Sequence, residues 1–522
     1  VIELDEVQKA FFAAVRRGEN VCLTGGGGVG KTFTINKMRE ATKKKSIAMT
    51  ATTGLAAMHV SGQTVHRFSG MGGWSQIGHL IPIMRADSWN ATKEKIKAVD
   101  IVVIDEVSML LSNQFDLINA IFKKATGRLT KPFGGKQIIL VGDFLQLPPV
   151  YKDTDGIARP WAFQSYAWVE GGFKTFHLTE VKRQNDIVFI NALNEIRFGR
   201  CSPMTEVILR NKTAKSHSER PVKLVPKNKQ ADALNNYEIM RLKGREHFLK
   251  ARIEYTDSMT LLENEGTVEP NKLTKYKKGL YKDLKTQVNV GENIWVKDGC
   301  RVIIMANNDE QGYVNGMTGN LVRIDYMVNT GIMKYEQAKD LIEHREIPCE
   351  YTLERYIVKN KNGELEETET ESGYLAIPQW KVVGEEIRNW LNNQVSHGDF
   401  SPSLLAQIQL DNGSYVYVEK KLYEIKDNTY TDDYVSMVSF NQFPLRPAYA
   451  ISIHKSQGMT LDNVEVECEG IFAEGQMYVA LSRATSLAGL SLKNFDKRLV
   501  RANADALKFY QELKEGETNV NA

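Results

Sequence analysis

A chain of 522 residues has room for roughly two to four domains, and its 42 % hydrophobic and 25 % charged content is that of an ordinary globular protein. A net charge of +3 excludes a surface wholly coated by nucleic acid, so any such contact has to be a local groove. No apolar run reaches membrane-span length, VIELDEVQKAFF lacks the pattern of a secretory signal, and five scattered cysteines without a CxxC pair exclude a structural zinc site or a disulfide framework and point to a reducing interior.

In chain order, the first strong signal is VCLTGGGGVGKT at 21–32. Val21–Leu23 reads as a short apolar strand and Thr34–Thr42 as the helix after it. Between them Gly25, Gly28, Gly30, Lys31 and Thr32 fall in the pattern GxxxxGK followed by Thr. Glycines let the backbone turn its N–H groups onto phosphate. Lys31 adds a point charge for the terminal phosphates, and the Thr32 hydroxyl is a ligand for magnesium. IVVIDEVSM at 101–109 is a fully buried strand of the parallel-sheet kind, with Asp105 and Glu106 at its carboxyl end, where open α/β sheets place their ligands. Asp105 can hold magnesium through water, and Glu106 can orient and deprotonate an attacking water. A second such strand, Ile138–Val141, delivers Gly142, Asp143 and Gln146 to a loop that Pro148 and Pro149 stiffen. A carboxylate and an amide on a rigid strand end suit a sensor of a nearby phosphate. These features together mean hydrolysis of a nucleoside triphosphate, which kinases, recombinases, transport ATPases and helicases all share.

Further on, Lys272, Lys275, Lys277, Lys278, Lys282 and Lys285, with Tyr276 and Tyr281 among them, read either as a solvated face or as the wall of a groove for single-stranded nucleic acid. From about 321 to 443 the pattern is mostly of strands, with hairpin turns at Asn362-Gly363 and Asn412-Gly413, while 334–345 and 383–409 read as partly helical. The acidic run from Glu364 to Glu371 argues against DNA contact on the first hairpin. A polar tail from about 515 is expected to be mobile.

Other segments narrow the reading. They are Gln8 within LDEVQKAFF, TATTGLAA at 50–57, TVHRFSG at 64–70, LTEVKRQND at 178–186, GCRVIIMANN at 299–308, VNGMTG at 314–319, AISIHKSQGMTLD at 450–462 and GQMYVALSRA at 475–484. With the P-loop, the acidic strand and VGDFLQLPPV, their order and spacing resemble superfamily 1B DNA helicases of the Pif-type (petite-integration-frequency) and RecD-like branch, from Gln8 to about Arg483. The resemblance implies an α/β fold of two RecA-like P-loop cores. The first spans 1–200 with a small wedge subdomain at about 70–98. The second spans 201–320 plus 444–514 and is interrupted at 321–443 by an SH3-like β-barrel with extra decoration.

It also implies roles. Gln8 reads adenine; Lys31 and Thr32 hold phosphate and magnesium; Asp105 and Glu106 are the metal-binding carboxylate and general base. Asp143 closes the first core's site, Gln146 links the γ-phosphate to the DNA path, Arg183 and Arg483 reach the γ-phosphate from the facing side, and Gly458 lies near the nucleotide. Permanently charged guanidinium groups suit the negative charge that builds on a departing phosphoryl group. Thr52, Thr53, His66 and Phe68 would line the DNA in the first core, and His454 and Ser456 in the second; Phe68 is equally readable as a core residue. Trp74 and Trp89 are candidates for the fork-parting wedge, although tryptophan packs as readily. The implied activity is ATP- and magnesium-dependent movement 5′→3′ on single-stranded DNA with unwinding of forked DNA, by a monomer. It would act in a bacterial or phage-infected cytoplasm, or in a eukaryotic nucleus or mitochondrion. A strand translocase with weak unwinding and a P-loop kinase indifferent to DNA are the rivals. One departure stands out: the loop reads GGGGVGKT, where the family more often has Pro or Ser and then Ala after the first Gly, and Thr at the place of Val29. The added glycines imply a more flexible loop.

Overall fold

The computed structural model describes residues 4–520 apart from 61, 73–74, 87–88, 152–156, 182–185, 214–220, 256–269, 289, 309–310, 428–434 and most of 330–402, where three short strands are described. The first core is built on a six-stranded parallel sheet: β1 (Val21–Gly25), β2 (Ile47–Ala51), β3 (Gln63–Thr64), β4 (Ile101–Asp105), β5 (Gln137–Gly142) and β6 (Lys174–Leu178), in the order β3-β2-β4-β5-β1-β6. The runs Val21–Leu23, Ile101–Ile104 and Ile138–Val141 are buried along their whole length, as strands covered on both faces must be. Because β5 lies between β1 and β4, the loops after those three strands leave the sheet side by side at one edge. That adjacency assembles the site. Helix α1 (Glu6–Arg16) is started by Asp5 in a capping box with Gln8, and α2 (Lys31–Ala41) springs directly from the glycine-rich loop.

A second parallel sheet runs Ala450–Ser452, Val222–Val225, Val464–Glu467 and Leu490–Lys493. An antiparallel sheet is inserted within it. Its strands Arg301–Ile304, Thr318–Asn329, Ser403–Leu410, Tyr415–Val418 and Leu445–Pro447 begin before 321 and end after 443. The hairpin at Asn412-Gly413 is present, with Gly413 at φ 86°. Strands Glu354–Lys359 and Leu365–Thr370 pair antiparallel around the expected Asn362-Gly363 turn, which itself lies outside the described residues, as does 334–345. Of the stretch 383–409, expected to be partly helical, 383–402 lies outside the described residues and 403–409 belongs to a strand. Its pairing with Thr318–Asn329 buries Ala406, Ile408 and Leu410 on one face.

Within 70–98 the described residues include two short helices, Leu80–Met84 and Trp89–Lys97, whose Ile83 and Ile96 enter the first core. The chain end is one helix, Ala504–Val520, where a mobile tail was expected from 515. It follows the last strand of the second sheet but packs on the first core. Phe509 stacks on Phe163 (ring centres 4.7 Å apart) and meets Phe144 edge-on at 5.0 Å, while the Trp161 indole N–H donates to Asn503.

Candidate nucleotide site between the two cores

The glycine-rich loop is shaped by positions that only glycine fills well. Gly25 has φ 155° and a Cβ there would stand 2.4 Å from the Leu178 carbonyl oxygen; Gly28 and Gly30 have φ 79° and 86°. The Lys31 ammonium donates to the carbonyls of Gly25 and Gly26, both at 2.8 Å. Burial holds its pKa below the ordinary lysine value, against the pull of Asp143 and Glu106. Thr32 stands exposed on the first turn of α2. Gln8 is buried beside this turn: its amide donates to the Thr34 hydroxyl at 2.8 Å, and its carbonyl oxygen accepts from Asp5 N–H at 3.0 Å. Both ends of that side chain are therefore engaged.

At the end of β4, Asp105 accepts from the Glu106 N–H at 2.8 Å. Glu106 itself has φ 52° and ψ 44°, a left-handed backbone that costs a non-glycine residue about 1 kcal/mol. The Thr52 hydroxyl donates to the Glu106 carbonyl at 2.7 Å, and the Thr52 N–H to the Asp105 carbonyl at 3.1 Å. Thr52 thus holds the acidic pair in place, and the Thr53 hydroxyl is engaged with the N–H of Ala56. Burial raises both carboxyl pKa values; the charge of Glu106 raises Asp105 further, while Lys31 and Arg483 oppose the rise at Glu106. The all-oxygen set of the Thr32 hydroxyl and the Asp105 carboxylate fits magnesium, a hard cation that usually keeps several waters and takes its remaining ligands from phosphate. Buried carboxyl groups pushed toward their neutral forms are ones that a nearby cation would return to the charged state.

Asp143 is not open to the site. It is fully buried, paired with Arg197 through two bonds of 3.0 and 2.9 Å, and also accepts from Leu145 N–H and, at 3.0 Å, from the Tyr510 hydroxyl. That phenol also shares a hydrogen bond with the Thr24 hydroxyl, and the Arg197 guanidinium lies 4.8 Å from its ring centre. Burial pushes the Asp143 carboxyl up, and the charge and bonds of Arg197 more than reverse this. Asp143 is therefore the keystone of the loop carrying Gln146, whose N–H donates back to the Asp143 carbonyl at 3.0 Å. Arg197 and Tyr510 are absent from the sequence reading. An arginine in the otherwise largely apolar run IVFINALNEIR was a usable signal for the first; nothing local marked the second.

The second core meets these loops through the helix Gln476–Leu481. Gly475, just before it, lies so close to the loop that a Cβ would stand 2.4 Å from the Gln146 carbonyl oxygen. Just past it, Arg483 is buried, bonded to the Val479 carbonyl and the Ser482 hydroxyl at 3.0 Å, with the carbonyls of Ser456 and Met459 at 3.4 Å. Gly458, φ 77°, shapes that same 454–459 loop.

The other predicted residues sort less uniformly. Phe68 is 1 % exposed and packs edge-on against Phe122 at 6.0 Å, so the core reading holds and a base-stacking face is not presented. Trp89 is half-buried against the same core; Trp74 and Arg183 lie outside the described residues. His66 is half-buried, its pKa lowered by burial against a bond to Gln114. His454 stacks on Phe472 with ring centres 5.9 Å apart, and Phe472 is 56 % exposed. The Ser456 hydroxyl is buried and donates to the Ile453 carbonyl at 2.8 Å. In the Lys-rich helix Pro270–Gln287, Lys277 and Lys285 lie over the rings of Tyr255 and Tyr281.

A P-loop lysine, an acidic strand end and a buried arginine of the second core, with a second-core helix packed on the loop after β5, define a two-core, RecA-like P-loop nucleotide hydrolase. The sequence model of the PIF1-like helicases matches residues 3–206. The chain is 29 % identical to the ATP-dependent DNA helicase Pif1 of Psychrobacter sp. (strain PRwf-1) over 93 % of its own length and 67 % of that protein's. It is 31 % identical to the ATP-dependent DNA helicase PIF1 of Danio rerio over 98 % and 64 %. It thus spans about two thirds of the length of these curated relatives. The crystal structure of the Candida albicans Pif1 helicase superposes with a TM-score of 0.66 at 26 % identity, covering 98 % of this chain and all of that one. Bacteroides sp Pif1 in complex with ADP-AlF4 shares the fold, with a TM-score of 0.69 at 21 % identity and 99 % and 98 % coverage. Residues 3–206 thus carry the pattern of the PIF1-like helicases, and the chain is similar to Pif1 helicases over nearly its whole length.

Proposed function

We propose that the protein is a DNA helicase that couples ATP hydrolysis between its two cores to 5′→3′ movement on single-stranded DNA and to the parting of forked duplexes, with the monomer as the working unit. One observation carries the reading. Arg483 is anchored to the 454–459 loop of the second core and lies within electrostatic reach of Glu106 in the first. A charge change at the phosphate site is thereby felt by the loop that the family resemblance places along DNA. Lys31 would neutralise the terminal phosphates, Glu106 would take a proton from the attacking water, and Arg483 would offset the charge of the departing phosphoryl group. Magnesium, held by Thr32 and by Asp105 through water, would supply charge neutralisation at the phosphate oxygens. The relatives named ATP-dependent DNA helicases, and the structural neighbour Bacteroides Pif1 bound to single-stranded DNA, support the same substrates. The four described cysteines are unpaired, in keeping with a reducing compartment such as a bacterial or phage-infected cytoplasm.

The test is ATP hydrolysis with and without single-stranded DNA, beside Lys31→Ala, followed by forked substrates with a 5′ or a 3′ tail. Expected are DNA-stimulated hydrolysis, its loss in Lys31→Ala, and unwinding only from the 5′ tail. Hydrolysis indifferent to DNA would instead favour a small-molecule kinase.

A further inference from the structure

The phosphate loop is touched by a second-core group that the proposed function leaves unused. Tyr478, buried in the helix Gln476–Leu481, accepts the Gly27 N–H on its hydroxyl at 2.7 Å, across 451 positions of sequence. A Cβ on Gly26 would stand 3.0 Å from that oxygen, and one on Gly27 3.5 Å. Neither glycine lies in the left-handed region, so backbone conformation does not demand glycine at 26 or 27. At 26 what matches the missing side chain is the phenol above it; at 27 a Cβ would make ordinary contact with the phenol oxygen and Ser482. This gives the GGGG run, unusual for the family, a reason other than flexibility.

Backbone N–H groups of such a loop are the donors that nucleotide phosphates use. A phosphate oxygen carries charge, and a charge-assisted bond is roughly twice as strong as one to a neutral oxygen. Burial, and then the charge of Asp143, pushes the Tyr478 phenol pKa upward, so its hydroxyl stays neutral. A cavity of about 240 Å³ bordered by Gly26, Gly27, Arg197, Tyr478 and Lys514 gives a displaced hydroxyl room to turn.

We propose that Tyr478 is a nucleotide-site residue supplied by the second core, its hydroxyl and a nucleotide phosphate competing for the Gly27 N–H, so that phosphate entry parts one contact between the cores. This rests on the ATP reading of the site and adds to it a determinant of nucleotide affinity.

The experiment titrates the full chain, without DNA, with fluorescently labelled ADP and with a labelled non-hydrolysable ATP analogue. Tyr478→Phe keeps the ring and removes the acceptor. It is expected to bind at least one of the two nucleotides about two- to tenfold more tightly, the net effect of one hydrogen bond. Gly26→Ala pushes the hydroxyl away from its 3.0 Å contact. It is expected to act in the same direction more weakly, and to add nothing in the Tyr478→Phe background. Unchanged or weaker binding of both nucleotides by Tyr478→Phe overturns the proposal, as does a Gly26→Ala effect that persists in that background. A wild-type chain that binds neither nucleotide removes the ATP reading itself, a different result from wild-type binding that Tyr478→Phe leaves unchanged.

Discussion

Replacing Arg197 by Met is the most severe single change the site offers outside its chemistry. The guanidinium and the Asp143 carboxylate are 3 % and 0 % exposed and joined by two bonds of 3.0 and 2.9 Å. Methionine fills much of the volume but leaves a carboxylate in a site walled by Phe198, Tyr510 and Tyr478. Breaking a buried pair from one side costs about 3–5 kcal/mol, because the remaining charge is uncompensated. Tyr510 and Leu145 still donate to Asp143, so the lower half of that range is expected. For a unit the size of the first core this lowers its melting transition by roughly 6–16 °C. The sign with pH follows from the lowered Asp143 pKa: the pair's contribution is full above about pH 4 and fades as pH falls through the lower folded value. The assay is thermal and urea unfolding of Arg197→Met beside the double variant Asp143→Asn, Arg197→Met. The double should recover at least half of the loss, since it removes the orphaned charge. A single-variant loss below about 1 kcal/mol, the range of an exposed pair, would refute the reasoning, and so would a double variant worse than the single.

Three further outcomes are expected. Gln146→Ala should lose unwinding more than nucleotide affinity, and Gly475→Ala should behave alike because its Cβ would collide with the Gln146 carbonyl at 2.4 Å; equal loss of unwinding and binding in both would make the loop merely structural. Thr52→Val removes the hydroxyl that holds the Glu106 carbonyl and should reduce ATP turnover about tenfold, the rate equivalent of roughly 1.4 kcal/mol, with nucleotide affinity kept; turnover within twofold of wild type would mean that Glu106 holds its backbone unaided. His177 is held neutral by burial, and then by Arg197, with its pKa lowered to about 4, so wild-type stability should fall as pH drops from about 6.5 toward 4, by at most about 1.4 kcal/mol per pH unit. His177→Phe should lose this part of the slope, and an unchanged slope in unfolding experiments would exclude the histidine as its source.

The parts of the site legible in the sequence are those fixed by local geometry. A glycine-rich turn between a strand and a helix, or an acid pair after four buried β-formers, needs only neighbours in sequence to define it, and Lys31, Asp105 and Glu106 gather as their spacing implies. The antiparallel insertion and the end of the strand at 403–410 were legible through the Asn412-Gly413 turn, but the strand's reach back to 403 was not, because its partner there, Thr318–Asn329, lies some 80 residues earlier. Phe68 shows the converse error source. An aromatic residue between His66 and Ser69 has the same appearance whether it faces DNA or Phe122, and only packing decides. The partners of Arg197, Tyr478 and Tyr510 were illegible for a stronger reason: these residues meet Asp143 or Gly27 across 54, 451 and 367 positions, and no periodicity encodes such a pairing.

Those distant contacts have a pattern of their own. Gly475 lies against the Gln146 carbonyl, Tyr478 holds the Gly27 N–H, Arg483 faces Glu106, and Tyr510 donates to Asp143. One stretch of about 35 residues thus touches the loop after β5 and the glycine-rich loop, and brings the Arg483 charge within electrostatic reach of the acidic strand end. The three loops leave neighbouring strands of one rigid sheet, so they cannot move far relative to each other. Whatever changes at the phosphates must therefore be taken up by the stretch that spans them. Its start, Gln476–Leu481, is fully buried and leads to Arg483, which is bonded to the 454–459 loop; its far end is tied down by Phe509 and Tyr510 in the first core. A segment fixed at one end and bonded to the nucleotide loops along its length can respond mainly at the other contact it makes, the 454–459 loop. That loop carries His454 stacked on the exposed Phe472, which makes it the element of the second core best placed to register a change at the phosphates at the surface.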